Sequence, residues 1–271
     1  MYQLNIQQLE NIVAVKIGGN IIDDKQALTD FLNIFSKIPN PKILIHGGGK
    51  IATTFSEQLN IPIRMADGRR ITDEDSLDVV TMVYGGLINK KIVAGLQANG
   101  CNAIGLTGAD ANIIEAHKRV HPTIDFGFVG DVDTVNHSFL IELMEKNYVP
   151  VIAPLTHDKK GTLLNTNADT MAAELVIALA KSKKISFVYC FEKTGLLKNI
   201  NDPDSIIAHV NLSEIQQLKE KQIITGGMIP KIENISKALQ NGVEKVILCH
   251  AKELGSIIKG NSIFGTTFTT R

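Results

Sequence analysis

The sequence carries no surplus of either charge: 28 basic residues stand against 28 acidic ones in a chain of 271. A neutral balance offers no broad attraction for nucleic acid or anionic lipid, so neither is expected as a partner. Cysteine is scarce. Cys101, Cys190 and Cys249 lie far apart in sequence and form no C-x-x-C pair, which argues against a disulfide framework or a zinc site and for a reducing, cytoplasmic setting. No uninterrupted apolar run approaches the ~18 residues of a membrane span, and the N-terminus lacks the charged start and apolar block of a signal peptide. His117 and His121, four apart, could share a helix face. No acid completes an H-E-x-x-H pattern, however, and Pro122 follows, so no metal site is expected.

Familiar catalytic signatures are also missing. There is no G-x-x-x-x-G-K-[ST] and no G-x-G-x-x-G after the first predicted strand, which excludes a P-loop and a classical dinucleotide site. His46-Gly47-Gly48-Gly49 imitates the oxyanion loop of lipases, but no G-x-S-x-G elbow supplies a nucleophile. No internal repeat, low-complexity tract or flexible linker appears.

What is present is 44% hydrophobic content, enough to bury a large core as one α/β domain or as two lobes. The organising stretch is Ile43-Leu44-Ile45-His46-Gly47-Gly48-Gly49-Lys50, an apolar strand that runs into three glycines. Such a turn persists where unusual φ values are needed or a ligand approaches the backbone closely. Ile51, Phe55 and Leu59 follow at a spacing of four, so the glycines sit at a predicted helix N-terminus, where free N–H groups and the helix dipole favour an anion. A plain strand-to-helix turn reads equally well from this stretch alone. A second such turn, Val15-Lys16-Ile17-Gly18-Gly19, lies upstream with a lysine before its glycines.

The pattern predicts strands at 12–17 and 42–46 with an amphipathic helix at 25–38 between them. That order calls for a parallel sheet with right-handed crossovers and sets both glycine turns at one end of it. Asp67-Gly68 signals a hairpin. Thr72 or Asp73 can cap a helix that continues, with a break near Gly85-Gly86, to Asn99-Gly100. A strand is predicted at 102–106, a small antiparallel element over 111–136, a helix at 138–146 and a strand at 149–154. Beyond the polar hexapeptide Leu164–Asp169 come a helix from Thr170 to Lys181, strands at 185–191 and near 206–210, and a helix over 212–219. A helix over 232–241 and strands at 244–248 and near 263–269 close the chain. Two lobes sharing one sheet are expected, 1–165 and 166–271. Glycine turns, Lys16, Lys231, Asp169, Arg70 and Asn165, with no evident nucleophile or base, suit phosphoryl transfer, where catalysis is chiefly positioning and charge stabilisation.

Together these segments resemble the amino acid kinase family. The likeness runs from Val13 to about Thr267. It rests on Val15–Gly19, His46–Gly49, Gly68–Asp73, Gly127-Phe128-Val129-Gly130, Asn165–Asp169 and Gly226-Gly227-Met228-Ile229-Pro230-Lys231. The resemblance implies a three-layer αβα sandwich with a mainly parallel central sheet, of carbamate kinase-like fold. It also implies an ATP-dependent kinase of arginine biosynthesis that phosphorylates the γ-carboxylate of an N-acylated glutamate, acetyl by default. The Arg70 and Asn165 segments favour that branch over carbamate, aspartate, glutamate or uridylate kinases. Alternatives are a succinylated glutamate or another amino-acid carboxylate as substrate, or a non-catalytic nucleotide-binding regulator.

By the same resemblance Lys16 and Lys231 flank the transferring phosphoryl group and Asp169 holds both lysines. Gly48, Gly49, Arg70 and Asn165 bind the substrate. Gly18, Gly19, Glu192, Lys193, Thr194, Gly195, Leu196, Leu197, Ile223, Ile224 and Thr225 bind the nucleotide. Magnesium arrives on ATP, with no resident metal and no tightly bound cofactor. The family usually shows an aspartate in an Asp-Val-x-Gly turn where this chain has Glu192 in Cys190–Leu197. The resemblance further implies a homodimer joined through the N-terminal lobe. Arginine-inhibited relatives add an N-terminal helix that links dimers into hexamers. Here Met1–Asn11, at most ~16 Å long as a helix, with Tyr2, Leu4, Ile6 and Leu9 forming no clear stripe, predicts a dimer that arginine does not inhibit.

Overall fold

The computed structural model describes residues 11–39, 41–66, 68–199, 201–202, 205–260 and 265–271. Its central sheet contains β1 (Asn11–Ile17), β2 (Lys42–His46), β3 (Ala103–Leu106), β4 (Val149–Ile152), β5 (Lys184–Phe191), β6 (His209–Asn211), β7 (Lys245–His250) and β8 (Thr266–Thr269). Their order across the sheet is β6-β8-β7-β5-β1-β2-β4-β3, and every pair is parallel except β7 with β8. The first strand therefore lies in the middle, hydrogen-bonded to β2 on one edge and to β5 on the other. One sheet thus runs through both halves of the chain.

Strands buried on both faces need continuous apolar runs rather than alternation, and β1 shows why. Ile12 and Ala14 join one core with Leu140, Met171, Leu175, Ile232 and Ile235. Val13, Val15 and Ile17 join the other with Phe31, Phe35, Val83, Ile88 and Ile92. The second face is covered by α1 (Gly19–Asp23), α2 (Lys25–Ser36), α3 (Gly49–Gln58) and α4 (Glu74–Ala98). The first is covered by α5 (His137–Glu145), α6 (Ala168–Ala180) and α7 (Met228–Gln240). This is a three-layer αβα sandwich. Both ends of α2 are closed by side chains. Asp24 Oδ1 accepts from the N–H groups of Gln26 and Ala27 at 2.8 and 2.9 Å, and buried Lys42 Nζ donates to the carbonyls of Phe35, Ser36 and Ile38.

Several elements differ from their sequence patterns. α1 is an added short helix after the first glycine turn. α4 does not break at Gly85-Gly86; a π-helical segment, Thr81–Ile88, carries it through. α7 starts at Met228 rather than 232 because Pro230 falls in its first turn, where the missing N–H has no intrahelical partner to lose. His117 sits on strand Ile114–Lys118, antiparallel to Gly130–Val135, with His121 beyond its end, so the two imidazoles share no helix face. His117 Nδ1 meets Asp133 Oδ1 at 2.6 Å instead. Among the described residues no cluster of His, Cys, Asp or Glu could hold a metal ion.

One 18-residue window of α4 is apolar enough to cross a membrane by length and composition, although charges interrupt its apolar runs. Val79, Val80, Val83, Ile88, Ile92 and Leu96 bury that surface in the core. Cys190 and Cys249, distant in sequence, are brought opposite each other on β5 and β7 as buried thiols 3.9 Å apart. The hairpin expected at Asp67-Gly68 pairs Arg64–Ala66 with Arg69–Ile71; Asp67 itself, like Met1–Glu10 with Tyr2, Leu4, Ile6 and Leu9, lies outside the described residues.

Candidate active site

The register of β1 and β2 sets Ile17 opposite His46, so the two glycine turns leave the sheet side by side. Gly18 precedes α1 and Gly48 precedes α3. Gly47 N–H donates to Ile17 O at 3.2 Å and stitches the turns together. Gly48 has φ 151°, and a Cβ there would overlap Ile88 Cδ1 and press on Tyr84 Cδ1 at 3.2 Å; only glycine fits without strain. The N–H groups of Gly48 and Gly49 have no partner among the described residues, leaving two donors at the start of α3 for an anion.

Lys16, near the end of β1, is 6% exposed, and its Nζ forms an ion pair with Asp169 Oδ1. Lys231 Nζ donates to Asp169 Oδ2 at 2.9 Å. The sequence admits Asp169 as a helix N-cap, but Asn167 fills that role: its Oδ1 accepts from the N–H groups of Asp169 and Thr170, both at 3.0 Å. The Asp169 carboxylate is left to bridge the lysines. Lys231 lies over the Tyr189 ring, 4.8 Å from its centroid, and Tyr189 Oη donates to Asp169 O at 3.1 Å. Burial acts to raise Asp169, but the charges of Lys16 and Lys231 outweigh it and hold the carboxyl well below its ordinary range. Burial first, and then the charge of Lys16, lowers Lys231 against the opposing attraction of Asp169.

Two cavities open on either side of this triad. One of about 320 Å³ is lined by Lys16, Gly19, Gly48, Gly49, Arg70 and Asn165, together with Thr53, Met65, Arg69, Tyr84 and Asn167. Arg70 is held at its wall, where Nη2 donates to Thr53 Oγ1 at 2.7 Å and Gly49 O at 3.3 Å. Asn165 Nδ2 donates to Thr72 Oγ1 at 3.0 Å. The second cavity, about 790 Å³, is lined by Gly18, Glu192, Lys193, Gly195, Leu196, Leu197, Ile223, Thr225 and Lys231, with Asn199, Gln222 and Met228. Thr194 is absent from this lining. Ile224, 2% exposed, belongs to the core, since alternate residues of that segment face opposite ways.

Sequence reading passed over Tyr84, Thr53 and Met65 on the first cavity and Asn199 and Gln222 on the second. Tyr84 sits in an apolar stretch of α4 and looks like ordinary core. Only the π-helical turn and the packing against Gly48 bring it to the cavity.

An open, mainly parallel αβα sheet, paired glycine turns and two lysines bridged by one aspartate define a phosphotransferase. The chain belongs to the amino acid kinase family, which it matches over residues 11–250. It is 52% identical to the acetylglutamate kinase of Cytophaga hutchinsonii across 95% of this chain and 98% of that one. It is 49% identical to the acetylglutamate kinase of Parabacteroides distasonis across 94% and 100%. Among solved structures, smu.665 from Streptococcus mutans UA159 superposes with TM-score 0.79 at 25% identity, covering 96% of this chain and 99% of that one. Carbamate kinase from Giardia lamblia bound to AMP-PNP superposes with TM-score 0.69 at 14% identity, covering 97% and 100%, and shares the fold.

Proposed function

We propose that this chain transfers the γ-phosphoryl group of MgATP to the side-chain carboxylate of an N-acylated L-glutamate, N-acetyl-L-glutamate by default, giving the acyl phosphate used in arginine biosynthesis. The observation that carries the reading is Asp169 bridging Lys16, on the wall of one cavity, to Lys231, on the wall of the other. The acyl-acceptor is assigned to the smaller cavity, lined mostly by residues up to 165, and ATP to the larger one, lined mostly by residues of 166–271. A γ-carboxylate, pKa ~4.3 when free, is already ionised at neutral pH, so the reaction needs no general base. The protein's task is to bring two anions together. The lysines would neutralise charge on the transferring group, and the Gly48 and Gly49 N–H groups would donate to its oxygens. Both Asp169 oxygens face lysines, so Mg²⁺ would stay with the phosphates.

Arg70 would take the α-carboxylate. Arg70→Lys is therefore expected to raise KM for the acylglutamate by about tenfold or more and to change KM for ATP little, because lysine loses the bidentate contact. Steady-state kinetics with each substrate varied in turn checks this, and equal shifts in both constants would refute the assignment.

For the acyl group, a succinyl chain is the alternative to acetyl. Kinetics with N-acetyl- and N-succinylglutamate side by side decide it: acetyl is expected to win by more than about tenfold, the scale of one pocket contact. The reverse preference would move the proposal to the succinyl substrate. Nucleotide binding with no ADP release in the presence of either compound would leave a non-catalytic nucleotide-binding regulator. We further infer a cytoplasmic homodimer, for which exposed Phe55 on α3, Leu59 just past its end and Met82 on the adjoining α4 supply apolar surface to cover; a monomer mass in light scattering would exclude it.

A further inference from the structure

His46 ends β2 immediately before the second glycine turn and is 0% exposed. The proposed transfer step gives it no role. Burial pushes its pKa down to about 4, so the ring is neutral at physiological pH. Its surroundings allow only one arrangement of hydrogens. Nδ1 lies 2.8 Å from Gly47 O, and a carbonyl can only accept, so Nδ1 carries the proton. Nε2 must then accept, and Asn89 Nδ2 faces it at 3.2 Å. The Asn89 amide cannot be turned over, because the same nitrogen donates to Val151 O at 2.9 Å while Oδ1 accepts from Lys90 Nζ at 3.1 Å. Lys90 donates onward to Gly105 O at 3.0 Å. A polar chain with one proton pattern thus runs from β3 through α4 to the glycine turn.

In a trans peptide the C=O of one residue and the N–H of the next point in opposite directions. Gly47 O, pinned to the His46 ring, therefore turns the Gly48 N–H the other way. Gly48 lines the smaller cavity, and its N–H has no partner among the described residues. We propose that His46 is a positioning residue: held between Asn89 and the Gly47 carbonyl as the Nδ1–H tautomer, it aims the Gly48 N–H at the anion in the smaller cavity. This role rests on the kinase reading above.

The test exploits the shapes of two amides. Asparagine places its NH₂ near the position of Nδ1, and glutamine places its own near Nε2. In the full chain, with N-acetylglutamate and MgATP, His46→Asn is expected to keep kcat within about threefold, while His46→Gln loses about 10–100-fold with little change in KM for ATP, the scale of one misdirected backbone donor. A purely structural histidine predicts the opposite order, since glutamine fills the core better. Equal losses, or losses that follow the thermal unfolding midpoints, would overturn the proposal.

A second measurement does not depend on turnover or on the variants folding: ¹⁵N NMR of the wild-type imidazole, expected to report the Nδ1–H tautomer. An Nε2–H signature would reject the positioning role even in an active kinase. Wild-type protein that shows this tautomer but makes no acyl phosphate would instead reject the kinase reading, and the role with it.

Discussion

Alanine in place of Lys231 is expected to lower kcat by about 10²–10³ with a smaller change in either KM, and Lys16→Ala to do the same, the loss typical of one charge-stabilising donor. Both lysines point at one carboxylate, so their effects should be less than additive in the double variant, which loses a unit already broken by either change. Near-normal kcat in both single variants would remove them from the mechanism. The aspartate gives the same prediction a sign in pH. A lysine that must be charged loses activity as pH rises through its pKa. Burial and the charge of Lys16 already lower that of Lys231, and Asp169 opposes them. Asp169→Asn should therefore move the basic limb of the kcat profile to lower pH; an unmoved or alkaline-shifted limb would refute the coupling. The carboxylate itself is held below its unfolded value, so the stability it contributes is complete above the usual carboxylate pKa and is lost progressively as pH falls from there through the depressed one.

Gly48→Ala is expected to cost about 2–5 kcal/mol, combining backbone strain of ~1–3 kcal/mol with overpacking of similar size. The methyl would meet Ile88 and Tyr84, which are fixed in α4, at a φ that L-residues avoid. Relief by moving the turn would displace the Gly48 and Gly49 N–H groups, and a shift near 1 Å at such a site costs on the order of 10² in rate. Gly49→Ala is the control for stability. Its Cβ would find only Tyr84 Oη, at 3.9 Å. Thermal unfolding of the two variants checks the contrast, and a Gly48→Ala protein as stable as wild type would show that the turn has room to adjust.

The layered sheet is legible in the chain because the apolar runs of β1 (Ile12–Val15) and β2 (Ile43–Ile45) each lead into a glycine turn, with the amphipathic α2 between them. Both turns then had to leave from the same edge. The meeting of Lys16, Asp169 and Lys231 could not be read that way. No local period relates residues so far apart, and only the resemblance to a family joined them. Where local chemistry misled, tertiary context had the deciding vote. Four-residue spacing allows a helix face for His117 and His121, but the segment pairs with Gly130–Val135 as the antiparallel element expected over 111–136. The helix expected over 232–241 begins at Met228, with Pro230 in its first turn. Ile223, Ile224 and Thr225 look alike as a segment, yet Ile224 turns to the core and its neighbours to the cavity. Tyr84 carried no signal at all, because a π-turn shifts side-chain phase without any mark in composition.

The central place of β1 also sets a timetable for synthesis. Its partner β2 follows within a few dozen residues, but β5 begins about 170 residues after β1 ends, about 10–30 s later at ribosomal rates of ~5–20 residues per second. For that interval the innermost strand of the finished protein is an edge strand, apolar on both faces and with one row of backbone donors and acceptors unpaired. A fragment ending at residue 165 would keep that edge open permanently. The two halves complete each other as a sheet, and the nascent N-terminal half is a stage at which that open edge invites pairing with its own copies.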